Sequence, residues 1–178
     1  MTRHVFPCPV PSQSAIHAHL AGAYFHDCHA VAVPDGDQSA LSYFLTALAN
    51  TPSWVNSLMS LRNKLAQLAG LKNLGGFEEF NFSKPDSAYR PGDRVGIFTL
   101  ISNSPGEALL GDSDKHLDVI LSVCKQRPHA DGEASVAVTT VVHVHNLLGR
   151  LYMLPVTPLH KLIAPAVLSR AVGKAGAA

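Results

Sequence analysis

Charge is scarce in this chain, and no block of it carries one sign: 14 Lys and Arg against 13 Asp and Glu leave a formal +1. That removes the electrostatic footprint of a nucleic-acid binder or of a protein drawn to anionic membranes. Cysteine is scarce too. Cys8, Cys28 and Cys124 are odd in number and far apart, so neither a disulfide framework nor a C-x-x-C metal site is indicated, and a reduced, cytoplasmic setting is expected. No G-x-S-x-G, P-loop, H-E-x-x-H or G-x-G-x-x-G motif is present, nor any internal repeat. Pro7, Pro9 and Pro11 interrupt what would have to be the apolar region of an export signal. What the chain has in plenty is apolar: 47% of its residues are hydrophobic against 15% charged, which suits a large core or an apolar cavity and argues against disorder. At 178 residues one domain is expected, with a proline-rich arm over 1–23, the domain over 24–173 and a tail over 174–178.

The strongest local pattern runs from Lys115 to Leu168. Leu117, Val119, Leu121 and Val123 alternate with His116, Asp118, Ser122 and Cys124, Ile120 being the exception, so this is a half-buried strand. A turn cluster over Arg127–Gly132 follows. The alternation then resumes with Val136, Val138, Thr140, Val142 and Val144 against Ser135, Ala137, Thr139, Val141, His143 and His145. A hairpin about that turn pairs even positions of the first strand with odd positions of the second, which places His116 and Asp118 on the face of His143 and His145. Asn146 is a helix cap, and Leu147, Leu148, Leu151 and Leu154 continue at helical spacing. Pro155, Pro158 and Pro165 predict a break near Pro155 and a restart at Thr157-Pro158. Arg150, His160 and Lys161 together with the prolines argue against a membrane span.

Upstream, Tyr24 to Val33 reads as a strand, and Asp37 caps a helix burying Leu41, Phe44, Leu45 and Leu48. A second helix starts at Pro52-Ser53, with Trp54, Leu58, Leu61, Leu65 and Leu68 as its apolar stripe. Phe77 to Phe82 reads as a short strand, Arg94 to Ser102 as a strand, and Glu107 to Gly111 as another. Strand, two helices, four or five antiparallel strands and a long helix make an α+β domain with helices on one side of a sheet.

Three segments, Pro52-Ser53-Trp54-Val55-Asn56-Ser57-Leu58-Met59-Ser60-Leu61-Arg62-Asn63, Leu110-Gly111-Asp112-Ser113-Asp114-Lys115-His116-Leu117-Asp118 and Val142-His143-Val144-His145-Asn146-Leu147-Leu148-Gly149-Arg150-Leu151-Tyr152, resemble a bacterial family known only as domain of unknown function 2867. The similarity runs from Tyr24 to Arg170. The order of elements resembles the helix-grip fold of the START and birch-pollen-allergen (SRPBCC) superfamily, which implies a curved antiparallel sheet wrapped round a kinked C-terminal helix. The resemblance supplies no substrate and no catalytic residues. Some members are joined to a nicotinamide-cofactor domain, an association that this chain, without the glycine motif, does not carry over.

His116, His143 and His145 with Asp118 are residue types that can ligate zinc or iron, and i, i+2 spacing on a strand sets them on one face roughly 7 Å apart. Three readings stay open: the solvated side of the sheet, a polar patch facing a ligand, or a metal site. No metal or cofactor is expected. Arg62 shares a helix face with Val55 and Met59, where it either meets an anionic group or runs its stem along apolar surface to water. Tyr152 and His160, eight apart on the last helix, face either a cavity or the core. Cys28 and Cys124 read as buried apolar residues. The function expected is binding of a lipid-like or aromatic metabolite in an apolar cavity, with Arg62, His116, Asp118, His143, His145 and Tyr152 as its polar contacts. One alternative is a cyclase, dehydratase or hydrolase that uses the same pocket with His and Asp as acid and base. Another is a structural or membrane-surface protein. The partner expected is a small apolar or amphipathic ligand, with no nucleic acid and no integral membrane segment; a homodimer is left open.

Overall fold

The computed structural model describes residues 4–34, 38–68, 84–126 and 134–172, with the backbone alone at 62 and 64–68. Seven antiparallel strands form one sheet: β1 (Val5–Pro7), β2 (Phe25–Val33), β3 (Arg94–Val95), β4 (Phe98–Asn103), β5 (Glu107–Ser113), β6 (Leu117–Gln126) and β7 (Ala134–Val144). Their spatial order is β1-β2-β7-β6-β5-β4-β3. The helices are α1 (Ala40–Ala49), α2 (Ser53–Leu68) and α3 (Leu147–Leu168). The chain is thus α+β, with a seven-stranded antiparallel sheet and a C-terminal helix.

The register of β6 and β7 follows the parity of their valines: Val119 sits opposite Val142, Leu121 opposite Thr140 and Asp118 opposite His143. A slip of one residue would turn every valine to the other side, so burial of one face holds the pairing. The inner face carries Val31, Val33, Leu110, Leu121, Val123 and Val136, which pack with Leu41, Phe44 and Leu48 of α1 and Leu168 of α3. Each such side chain contributes about 1.5–3 kcal/mol when fully buried.

The outer face is covered by the N-terminal arm. After β1 the chain reaches a short 3-10 turn, Ala15–His19, capped by Ser14, whose side chain accepts from the Ile16 amide. Ile16 is fully buried against Leu109 and Val141, with Val10, Leu20 and Ala23 around it.

Several expectations change on contact with the structure. Arg94 to Ser102 is not one strand: Gly96, at φ 61°, turns the chain so that Val95 pairs with Phe98. The cap of α1 is Ser39, which accepts from the Ser42 amide at 3.0 Å; position 37 lies outside the described residues. Among the described side chains of α2 the buried one is Val55, while Trp54 and Leu61 of the expected stripe are exposed and those of Leu65 and Leu68 lie outside the described residues. The strand expected at 77–82 and the turn at 127–132 lie outside the described residues.

The last helix is continuous through Pro155, Pro158 and Pro165, without the expected break. Each proline leaves the carbonyl four residues earlier without its donor. Those carbonyls belong to Leu151, Leu154 and Lys161, all exposed residues, so water can satisfy them. The helix is long and apolar enough to cross a membrane by length and composition. It turns Leu147, Leu151, Leu154 and Leu162 outward.

Candidate functional site

Between the inner face and the helices lies a cavity of about 260 Å³. The alternation of β6 and β7 supplies its floor: Leu117, Val119, Leu121 and Val123 from one strand, and Val136, Val138, Thr140 and Val142 from the other. Met59 of α2, Phe44 of α1 and Val156, Ile163 and Val167 of α3 line its other side. Such walls give water few partners, although the space equals that of about nine liquid waters.

Few polar groups interrupt the lining. One is His160 of α3, whose Nε2 lies 3.1 Å from Oδ1 of Asp27. The alternation of β2 brings Asp27 there: it pairs with Thr140, itself on the cavity wall, and so shares the inner face. A carboxylate only accepts, so Nε2 carries the proton and Nδ1 is left to exchange one. Phe25 meets the imidazole edge-on at 5.6 Å between ring centres. His29 Nδ1 is 3.8 Å from Asp27 Oδ2. That oxygen is buried and has no hydrogen-bond partner among the described residues, an arrangement that costs the folded state free energy.

Of the six expected contacts, Tyr152 lines the cavity. His143 does not. It sits opposite Asp118 on the outer face, where its Nε2 is 2.9 Å from the His19 carbonyl of the arm. Asp118 accepts from Ser113 and lies 3.0 Å from His145 Nε2. Burial works against its carboxylate, but Ser113 and His145 outweigh this and hold its pKa below the usual value. The parity argument placed these residues together correctly; the same parity, once the valines face the helices, puts them on the side away from the cavity. Among the described residues no three His, Cys, Asp or Glu side chains converge as metal ligands would. The Arg62 side chain lies outside the described residues.

His116 is buried and acts as part of a bracket. Asn146 Oδ1 accepts from the Gly149 amide at 3.1 Å and stands 3.2 Å from His116 Nδ1, while its Nδ2 donates to the Lys115 carbonyl at 2.9 Å. An amide oxygen that accepts twice requires the proton of His116 on Nδ1. A Cβ at Gly149 would run into the His116 carbonyl oxygen. The segment from His145 to Gly149 therefore seats α3 on the start of β6.

The Asp27–His160 pair was only half visible in the sequence. His160 stood out beside Tyr152, whereas its partner is 133 residues away on a strand whose inward positions mix apolar and polar groups.

A family model described as "Protein of unknown function (DUF2867)" matches residues 19–167. No curated protein and no solved structure matches the chain.

Proposed function

The chain belongs to the DUF2867 family of proteins of unknown function, and from its cavity we propose that it binds a small apolar or amphipathic molecule between sheet and C-terminal helix. The fold is read as a helix grip of the START type. That reading is supported by the element order and by the first long strand, β2, pairing with the last, β7. The observation that carries the binding proposal is a space of about 260 Å³ with mainly apolar walls, which Asp112, Asp114, Thr140 and Tyr152 interrupt together with the imidazole of His160, held by a buried carboxylate. Ligand pockets share this composition: apolar area for affinity and a few polar groups for orientation. His160 and Tyr152 orient the polar end of a lipid-like or aromatic metabolite, and the valines of β6 and β7 take its hydrocarbon.

Native mass spectrometry of the purified protein, with thermal shifts against fatty acids and aromatic acids, tests this. A co-purified ligand, or a stabilising shift that Val138→Trp abolishes, is expected. No bound species and no shift with any probe would remove the proposal.

The Asp27–His160 pair favours a second reading, an enzyme of hydrolase or dehydratase type with His160 as acid–base group and Asp27 holding its tautomer. It takes the place of acid–base chemistry at His116, His143 and Asp118. Turnover of an aromatic ester that falls by about 10² in Asp27→Asn, with binding retained, would favour it; rates equal in the two proteins would dismiss it.

A further inference from the structure

We propose that Cys8 and Cys28 are a redox pair, oxidised by a hydroperoxide to a disulfide that fastens the N-terminal arm to the outer face of the sheet. The register of β1 on β2 runs Val5–Val31, Phe6–Ala30, Pro7–His29, and one further step sets Cys8 opposite Cys28. The Cys8 amide donates to the Cys28 carbonyl at 3.1 Å. The side chains share the outer face, and their sulfurs are 3.3 Å apart. Two opposed residues on adjacent strands lie within the separations a disulfide spans, and both cysteines are free thiols here.

The two sulfurs are not equivalent. Cys28 is buried and Cys8 half-buried. The Thr139 hydroxyl donates to Cys28 Sγ at 3.1 Å. Either sulfur can donate to the other, and this contact first, with Thr139 second, draws the Cys28 thiol below its usual pKa against the opposing effect of burial. Cys8 is pushed up by the same contact, with burial adding to it; the hydroxyl of Thr139 is a donor that Cys28 alone receives. Cys28 is therefore the attacking thiolate and Cys8 the resolving thiol. The Cys28 thiolate attacks the distal oxygen of the hydroperoxide, the O–O bond breaks, and an alkoxide or hydroxide leaves and takes up the thiol proton. The resulting Cys28 sulfenic acid is attacked by the Cys8 sulfur; the S–S bond forms, the S–O bond breaks, and water departs. The balance is two thiols and one hydroperoxide to one disulfide, one alcohol or water, and one water.

The bond would act on the arm. Cys8 stands between the edge strand β1 and the segment whose Val10, Ile16 and Leu20 cover the outer face. Cys124, the third cysteine, is not involved: burial, with the Glu107 carboxylate adding to it, pushes its thiol up to about 11.

The test is oxidation of the full chain with hydrogen peroxide, alkylation under denaturing conditions and peptide mapping. A Cys8–Cys28 cross-linked peptide short of two hydrogens is expected, leaving one of the 3 cysteines alkylated. Amide exchange across 8–23 should slow several-fold in the oxidised form. Cys8→Ser should instead leave a Cys28 sulfenic acid that dimedone traps, Cys124→Ser should form the disulfide normally, and Thr139→Val should move the pH profile of oxidation upward. Three alkylatable thiols after peroxide, a bridge that uses Cys124, or a Cys8→Ser protein without a trappable sulfenic acid would each overturn the proposal.

Discussion

The two faces of one sheet are built to opposite ends. Along β7, Val136, Val138, Thr140 and Val142 look into a cavity, while Ala137, Thr139 and Val141 between them are at most 1% exposed under the arm. The outer face mixes Leu109 and Val141 under Ile16 with patches of small residues that leave little room: Cys28, Ala30 and Ala137 form one cluster. Ser14, Ser122 and Glu107 make another, with Ser122 Oγ donating to the carboxylate at 2.6 Å and Ser14 Oγ donating to the same oxygen. Large β-branched residues, by contrast, line the hollow side. Size at a position therefore says little about how tightly it is packed; what matters is whether the opposing layer comes down to meet it. An arm lying directly on the strands does so. A helix seated at its N-terminus on the start of β6 by the Asn146 bracket does not do so over the rest of its length.

This contrast can be broken with one pair of neighbours. Ala137→Leu should cost about 3 kcal/mol through overpacking, whereas Val138→Leu, one residue on, should cost less than about 1 kcal/mol because its extra carbon enters empty space. Urea unfolding of the two variants measures the difference, and equal costs would mean that the hollow is not there.

The pH dependence sharpens the same point on the outer face. Cys124 has its thiol pushed up from 9.0 to about 11 by burial first and by Glu107 second. As pH rises through 9 the unfolded chain ionises first while the folded one stays protonated. Stability is therefore complete below that value and falls by up to about 3 kcal/mol toward pH 11. Urea midpoints across this range should show the fall, and Cys124→Ala should flatten it.

Smaller is the effect of releasing α3. Asn146→Ala removes the cap and the hydrogen bonds to Lys115 and His116, a loss of about 2 kcal/mol; denaturation midpoints should fall accordingly, and amide exchange should rise first at residues 147–150. The smallest effect is expected where α3 faces solvent. Leu154→Gln, at a residue 66% exposed, should change the midpoint by no more than about 0.5 kcal/mol.

Much of this fold could be read from period alone. Sustained alternation of β-branched residues admits one geometry, so β6, β7 and the parity of their pairing were legible in the sequence, as was the cap at Asn146. The direction of the faces was not. Parity says which residues share a side, but not what covers that side, and so His143 and Asp118 could be grouped while a solvated face, a ligand-facing patch and a metal site all stayed open. The prolines of α3 misled for a related reason, since their penalty depends on whether the freed carbonyls meet water, a tertiary fact. Cys8 and Cys28 looked unrelated because their meeting depends on a three-residue strand too short to announce itself. Asp27 with His160 depends on a helix returning across the sheet.

The sheet also ends abruptly. Its margins are β1, of three residues with Pro7 among them, and β3, of two. Each margin strand has few ladder positions of its own, and proline withholds the amide at one of them. An extended peptide from another molecule thus meets only a brief run of β1 or β3 to join, and edge-to-edge stacking of copies through those strands gets a short template despite a chain rich in valine.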